Sequence, residues 1–269
     1  MNELFGLDGK VAVITGVLGK LGYTWADTLL DAGALVFGID KDGATASNEF
    51  NELIKKYGED RITLFHIDIT ERVQVEKALS ECTKKFGIPK ILVNNAGIDQ
   101  PPGNVKSYRV DEIPADVFMK TVNVNLFGTF LMTQVFGGIM EKQARGSIIN
   151  IGSLYAGVSP DMHFYDHIQC DPPFLKPPAY GASKAAVVNI TKYFATHWGK
   201  SGVRVNTLSP GGVLGGQDEE FKKKFCARVP LARMALMNDL KGPLIFLASD
   251  ASSYVTGTEL KVDGGYTAW

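Results

Sequence analysis

Seven short apolar runs, Val11–Thr15, Leu35–Asp40, Ile62–Ile67, Ile91–Asn94, Ser147–Ile151, Val203–Leu208 and Glu259–Val262, alternate with longer amphipathic segments near 21–32, 44–58, 71–86, 115–141, 181–199 and 239–249. Several runs are rich in β-branched residues and nearly unbroken in apolar character, the pattern of strands buried on both faces. Adjacent parallel strands need a crossover of a dozen or more residues, and an amphipathic helix supplies it with its apolar stripe against the sheet. The expectation is an α/β, doubly wound, three-layer fold with a seven-stranded parallel sheet. A single domain over residues 1–269 follows, since neither repeat nor linker divides the chain.

Composition narrows the classes of function. A chain of 269 residues, 45% hydrophobic and 21% charged, buries a large core without disulfide or metal staples and is not disordered. Its 28 Lys plus Arg balance 29 Asp plus Glu, a net charge of −1, so no broad electrostatic partner, nucleic acid or anionic membrane, is expected. Cys82, Cys170 and Cys226 are odd in number and far apart, which fits reduced thiols, with Cys82 and Cys226 buried or partly buried. The opening MNELFGLDGK lacks the form of a secretory leader, and no run approaches the roughly 18 apolar residues of a membrane span. The expected location is cytoplasmic.

One segment breaks the rhythm. Residues 154–179, LYAGVSPDMHFYDHIQCDPPFLKPPA, carry five prolines and several aromatics. A connection of that length in a compact domain is a lid or binding loop when it is ordered, and the aromatics favour order. His163, His167 and Cys170 fall at i, i+4 and i+7 with Asp161, Asp166 and Asp171 nearby, a spacing that can hold zinc on a helix. The prolines interrupt such a helix, and a polar lid that bonds substrate or packs is the other reading; no metal is assigned. Lys222-Lys223-Lys224 reads as a solvated helix face.

After the first strand comes Thr15-Gly16-Val17-Leu18-Gly19-Lys20-Leu21-Gly22 and then a helix. Glycines there allow a tight turn and close approach of backbone to a phosphate, while the helix N-terminus offers unpaired N–H groups. Asp40 ends the second strand, where a carboxylate accepts both ribose hydroxyls of an adenosine and repels a 2′-phosphate. Lys20 and Lys41 lie nearby and would favour a 2′-phosphate instead; on the strength of Asp40 the expected cofactor is NAD, preferred over NADP. Asp68, followed by Ile69, either meets the adenine or caps the next helix.

Tyr180-Gly-Ala-Ser-Lys184 opens a helix and sets tyrosine and lysine four apart on one face. A free tyrosine titrates near 10. An ammonium beside it lowers that value toward the range of a useful base. Ser153 follows the fifth strand, at the edge where open α/β sheets bind ligands.

Together with these motifs, Asn94-Asn95-Ala96-Gly97 after the fourth strand, Asn125 in VNVNLFG, Ser153 in NIGS, Pro210-Gly211 after the sixth strand and Val262-Asp263-Gly264-Gly265 near the end appear in one order. In that order, over nearly its whole length, the chain resembles the short-chain dehydrogenase/reductase family, with its Rossmann fold. The resemblance implies that Tyr180 is the acid/base for the substrate oxygen and that Lys184 depresses its pKa and holds the nicotinamide ribose. It implies that Ser153 orients the substrate and that Asn125 supports a water relay. Gly16, Gly19, Lys20, Leu21, Gly22, Asp40, Lys41, Asp68, Ile69, Asn95, Ala96, Gly97, Tyr180, Lys184, Pro210, Gly211 and Val213 would hold the cofactor. Val213 would do so through its backbone, at the carboxamide. The tail Gly265-Tyr266-Thr267-Ala268-Trp269 has two aromatics that look exposed, and tails there often pack across subunits in this family, so a homo-oligomer, dimer or tetramer, is implied.

Three departures from the family pattern stand out. Lys20 occupies the place of a glycine, with Gly19 one position early, and the resulting TGxxGxxG is similar to the family's extended branch. Ser153 and Tyr180 are 27 positions apart, about double the usual separation, and the excess lies in the insert. Tyr155 and Tyr165 are rival tyrosines, but neither has a lysine four residues on. Gly215 replaces a frequent threonine, and Gly211, Gly212, Gly215 and Gly216 suggest a loop that moves. The polar residues of the insert suit a polyhydroxylated small-molecule substrate: a sugar, sugar acid or nucleotide sugar oxidised or reduced at a secondary alcohol or ketone. An epimerase or dehydratase that retains its NAD, and a non-catalytic NAD-binding regulator, are the competing readings.

Overall fold

The structure is a computed structural model that describes residues 3–103 and 106–269. Strands β1 (Val11–Thr15), β2 (Leu35–Asp40), β3 (Ile62–His66), β4 (Ile91–Asn94), β5 (Gly146–Ile151), β6 (Val203–Pro210) and β7 (Glu259–Val262) form one sheet. Every pairing is parallel and the order is β3-β2-β1-β4-β5-β6-β7. The order reverses between β1 and β4, so the crevice for a ligand opens beyond their carboxyl ends. The seven-stranded doubly wound sheet expected from the sequence is the sheet observed.

The helices are α1 (Lys20–Asp31), α2 (Asn48–Tyr57), α3 (Arg72–Phe86), α4 (Ala115–Val122), α5 (Thr129–Lys142), α6 (Pro178–Trp198), α7 (Glu219–Arg228) and α8 (Met237–Ala248). Alternate residues of β1 enter opposite cores. Ala12 and Ile14 join Trp25, Leu29, Phe50 and Leu244 on the side of α1, α2 and α8. Val11 and Val13 join Val75, Met132, Phe136 and Trp198 on the side of α3, α5 and α6. A strand buried on both faces needs this two-residue period with no polar side.

Local chemistry moved some boundaries. The second helix begins at Asn48 rather than near 44, because the Ser47 side chain accepts from the Phe50 N–H at 3.2 Å and sets the N-cap there. The long run near 115–141 is one continuous helical path whose middle, Asn123–Gly128, winds as a π-helix. Within residues 115–142 an 18-residue window reaches a mean hydropathy of 1.2, enough by length and composition to cross a membrane. The buried face of α5, with Met132, Phe136 and Met140, packs on the protein's own sheet, which identifies a core helix.

The insert is ordered and has its own core. Leu154, Phe164, Tyr165 and Phe174 pack with Phe225, Val229 and Met234 from the region of α7, and with Tyr266. Phe164 meets the rings of Phe221 and Phe225 edge-on at 5.9 and 5.7 Å. Tyr266 was expected to be exposed; it is buried, stacked on Phe225 at 5.1 Å, because the C-terminal turn folds back onto α7. Trp269 alone of the two aromatics stays outside, 74% exposed. Cys82 is buried, Cys226 partly buried and Cys170 exposed. The lysines of α7 are not a bare solvated face: Lys222 pairs with Glu219, and Lys224 reaches Asp166 of the insert.

Candidate active site

A cleft of about 660 Å³ lies over the carboxyl ends of the strands. Of the residues expected to hold a cofactor, all but Gly22 line it, and Ser153 joins them. Gly22 packs beneath: a Cβ there would stand 2.1 Å from the Gly16 carbonyl oxygen, so only glycine lets α1 lie against the loop. Gly16 itself has φ +64°, and a Cβ would approach the Ala96 Cα to 2.8 Å. Gly19 is the N-cap of α1 and offers no side chain to its N–H groups.

The glycine loop is fixed by its neighbours. Thr15 Oγ1 accepts from the N–H groups of Asn95 and Ala96, both at 3.0 Å. Asn95 Nδ2 donates to the carbonyls of Thr15 and Gly16 at 3.0 Å, and its Oδ1 accepts from the Trp25 indole at 2.9 Å. Asn95 therefore spends its amide on holding the loop. Asp40 accepts from the N–H of Leu18 on Oδ2 and of Lys41 on Oδ1, each at 2.9 Å. A carboxylate has about four acceptor positions, so an oriented pair remains for hydroxyls.

Asp68 accepts on Oδ1 from the N–H and hydroxyl of Thr70 at 2.8 and 2.7 Å, a turn rather than a helix cap, and still lines the cleft beside Ile69. Lys41 is exposed. Lys20 donates to the Leu214 carbonyl at 2.7 Å and fills the space over Gly215, where a Cβ would meet its Nζ at 2.1 Å. The two departures in sequence are thus one feature in space. The glycine-rich loop expected to move is stitched: Val213 bridges to Ala235, and the Val213 carbonyl accepts from Gln217 Nε2 at 2.9 Å.

At the other end, Tyr180 begins the first turn of α6 after Pro178, and Lys184 lies one turn on. The buried Lys184 donates to the Ile151 carbonyl at 2.7 Å, with Nζ 5.8 Å from the Tyr180 ring centroid. Burial lowers its pKa to about 8, and the Asp99 carboxylate opposes that shift. Burial pushes the Tyr180 phenol above its ordinary value; Asp99 pushes the same way, and a hydrogen bond with Ser153 works against both. Ser153 is buried and accepts from the Tyr155 N–H at 3.2 Å.

Asn125 sits behind the cleft wall in the π-helical turn. Its Oδ1 accepts from the Ile98 N–H at 2.7 Å, and its Nδ2 donates to the Ile98 carbonyl and Ser183 hydroxyl, both at 3.1 Å. Asn125 Oδ1 and Lys184 Nζ both approach Gly97, where a Cβ would lie 3.3 and 3.7 Å from them. The π turn spaces the helix so that an asparagine faces that loop, and such turns recur at functional sites.

The polar residues of the insert do not face the cleft as expected. His163 is 89% exposed and pairs with Asp161 at 2.9 Å. His167 Nε2 lies 2.8 Å from Asp218 Oδ1, off the line of a good hydrogen bond. Among the described residues no three His, Cys, Asp or Glu side chains converge as metal ligands. Tyr155 stands edge-on to Tyr180 at 6.4 Å, and burial raises it far above its ordinary value. Tyr165 is pushed up to about 12 by burial. What the insert brings to Tyr180 instead is Lys176, a buried ammonium 5.2 Å from the ring centroid and paired with Asp99. Asp99 and Lys176 escaped the sequence reading; the visible signal was a tyrosine flanked by lysines four residues to either side.

A sequence model of the family described as enoyl-(acyl carrier protein) reductase matches residues 16–267. The chain is 34% identical over 273 residues to a sorbose reductase of Candida albicans, covering 98% of this chain and 89% of that protein. It is 34% identical to a 2-dehydro-3-deoxy-D-gluconate 5-dehydrogenase of Bacillus subtilis, covering 99% and 98%. The fold matches the crystal structure of a gluconate 5-dehydrogenase from Burkholderia cenocepacia, in complex with NADP and tartrate, at a TM-score of 0.84 and 30% identity, over 99% and 98% of the two chains. With its parallel sheet, its glycine cradle at the switch point and its Ser153, Tyr180 and Lys184 on one cleft, the chain belongs to the short-chain dehydrogenase/reductase family of NAD(P)-binding proteins.

Proposed function

We propose that the protein is an NAD-dependent dehydrogenase/reductase that interconverts a secondary alcohol and a ketone on a small polyhydroxylated substrate. The carrying observation is that one cleft holds Ser153, Tyr180 and Lys184 at one end and Asp40 with the uncapped N-terminus of α1 at the other. The cradle fits a dinucleotide, since Gly16 and Gly19 line the cleft with backbone alone and Gly22 lets α1 pack directly beneath them. The N–H groups at the start of α1 would take the pyrophosphate and Asp40 the adenosine ribose. The oriented, doubly bonded Asp40 carboxylate favours NAD, and the commitment of Lys20 to Leu214 removes one cation that a 2′-phosphate would want.

A bound nicotinamide supplies or accepts the hydride. The chain supplies the proton. Tyr180, whose phenol burial pushes above its ordinary value, donates its proton to a carbonyl and recovers it from an alcohol. Ser153 bonds the phenol and positions the substrate oxygen beside it. Lys184, anchored by the Ile151 carbonyl, carries the positive charge that favours the phenolate, and Asn125 fixes the wall behind Gly97. Relatives that act on sorbose and on a deoxygluconate support a polyhydroxylated substrate. The exposed Trp269 and Leu231 beside the C-terminal turn support a homo-oligomer; light scattering at the monomer mass would count against it. The test of activity is reduction of NAD⁺ and NADP⁺ across ketoses, polyols, aldonates and plain secondary alcohols. Turnover with NAD⁺ that Tyr180→Phe abolishes supports the reading. Tight NAD binding with no turnover on any substrate refutes it.

A further inference from the structure

Asp99 and Lys176 form a charged pair for which the hydride-transfer chemistry has no need. Asp99 follows β4, on the wall that also carries Ser153, Tyr180 and Lys184, and its side chain is 54% exposed. Lys176 comes from the insert, 77 positions away, and its side chain is only 6% exposed. Asp99 Oδ1 takes both the Lys176 ammonium and the Gln100 N–H, the latter at 2.9 Å; among the described residues Oδ2 has no partner. A buried ammonium is costly unless paired, so Lys176 fixes where the carboxylate sits. The result is an oriented acceptor at the substrate end of the cleft, beside the tyrosine it acts on electrostatically.

We propose that Asp99, held by Lys176, reads a substrate hydroxyl next to the reacting carbon, so that the site takes neutral polyols and ketoses and discriminates against sugar acids. The inference rests on the dehydrogenase reading and names its substrate class. A carboxylate accepts hydrogen bonds from hydroxyls and donates none, and bonds to a charged group are the stronger kind. A substrate carboxylate in that place meets the exposed Asp99 carboxylate, because the Lys176 ammonium is buried and does not line the cleft. The insert then works as the holder of a specificity group, not as a polar lid.

The test measures kcat/KM for a polyol, its aldonate and a mono-alcohol of the same chain length in the wild type, Asp99→Asn and Lys176→Met. The wild type is expected to favour polyol over aldonate. In Asp99→Asn the polyol-to-mono-alcohol ratio falls roughly ten- to a hundredfold, the worth of a hydrogen bond to a charged group, and the polyol-to-aldonate ratio moves toward one. A role in folding or in the titration of Tyr180 alone would lower every substrate together and leave both ratios where they were, which overturns the proposal while the dehydrogenase reading stands. A wild type that prefers the aldonate, with that preference lost in Lys176→Met, also overturns it and makes Lys176 a carboxylate receptor. No turnover on any of the three in the wild type refutes the dehydrogenase reading, and the proposal with it.

Discussion

At the nucleotide end of the cleft the wall is largely backbone: Gly16 and Gly22 allow close approach, and Thr15, Asn95 and Trp25 hold the loop from behind. At the substrate end the wall is side chains from separate segments, Asp99 after β4, Ser153 after β5, Lys176 from the insert, and Tyr180 and Lys184 on α6. The first end is stiff because it is stitched to the sheet. The second depends on a satellite core formed by the insert, α7 and the C-terminal turn. Cofactor binding and substrate choice thus rest on different packing, and substitutions should separate them.

The largest separation is expected from Tyr180→Phe, which keeps the ring and removes the proton carrier. Turnover should fall roughly 10²–10⁴-fold while NAD affinity, measured by titration calorimetry, holds. An equal loss of NAD binding would show that the two ends are not independent. Phe164→Ala comes next. It empties the satellite core and should cost about 3–5 kcal/mol of local stability, seen as faster hydrogen exchange over the insert and α7 with the sheet still protected. Global exchange would mean that the insert and sheet are one cooperative unit.

Asp40→Ala acts at the opposite end. It should shift the NAD⁺-to-NADP⁺ preference by roughly tenfold or more with little change in the order of substrates. A reordered substrate panel would break the comparison.

A smaller effect concerns Lys184. Its folded pKa, about 8, lies below the unfolded value of 10.5, so between those two values the unfolded chain binds more protons. Stability relative to Lys184→Met should therefore rise with pH from about 8 toward 10.5 in the cofactor-free protein, read as the difference in Tm. A falling difference would mean that the ammonium is stabilised rather than desolvated. The least effect is expected from Lys224→Ala, whose exposed pair with Asp166 should leave Tm unchanged, because the aromatic contacts hold the insert.

Particular residues show how far the sequence could be read. Gly16, Asp40, Tyr180 and Lys184 were legible because each is tied to a strand end or helix start that local pattern locates. Lys176 was not, since nothing local says that a lysine in a proline-rich segment will be buried against a residue 77 positions away. His163 and His167 misled for the same reason: their spacing suggested a shared face, but Asp161 and Asp218 draw them elsewhere. Tyr266 looked exposed at the end of the chain until Phe225 covered it.

Alternation of buried strands with amphipathic helices determined the sheet, and through it the place of the crevice. Those signals are short-ranged, repeating every two or every 3.6 residues, and they add along the chain. Only the tertiary structure decided the burial of Tyr180 beside Asp99, the joining of Lys20 to Gly215 and the meeting of Asp99 with Lys176. Desolvation and charge pairing depend on which surfaces close over a group, and that is fixed by packing between segments far apart in sequence.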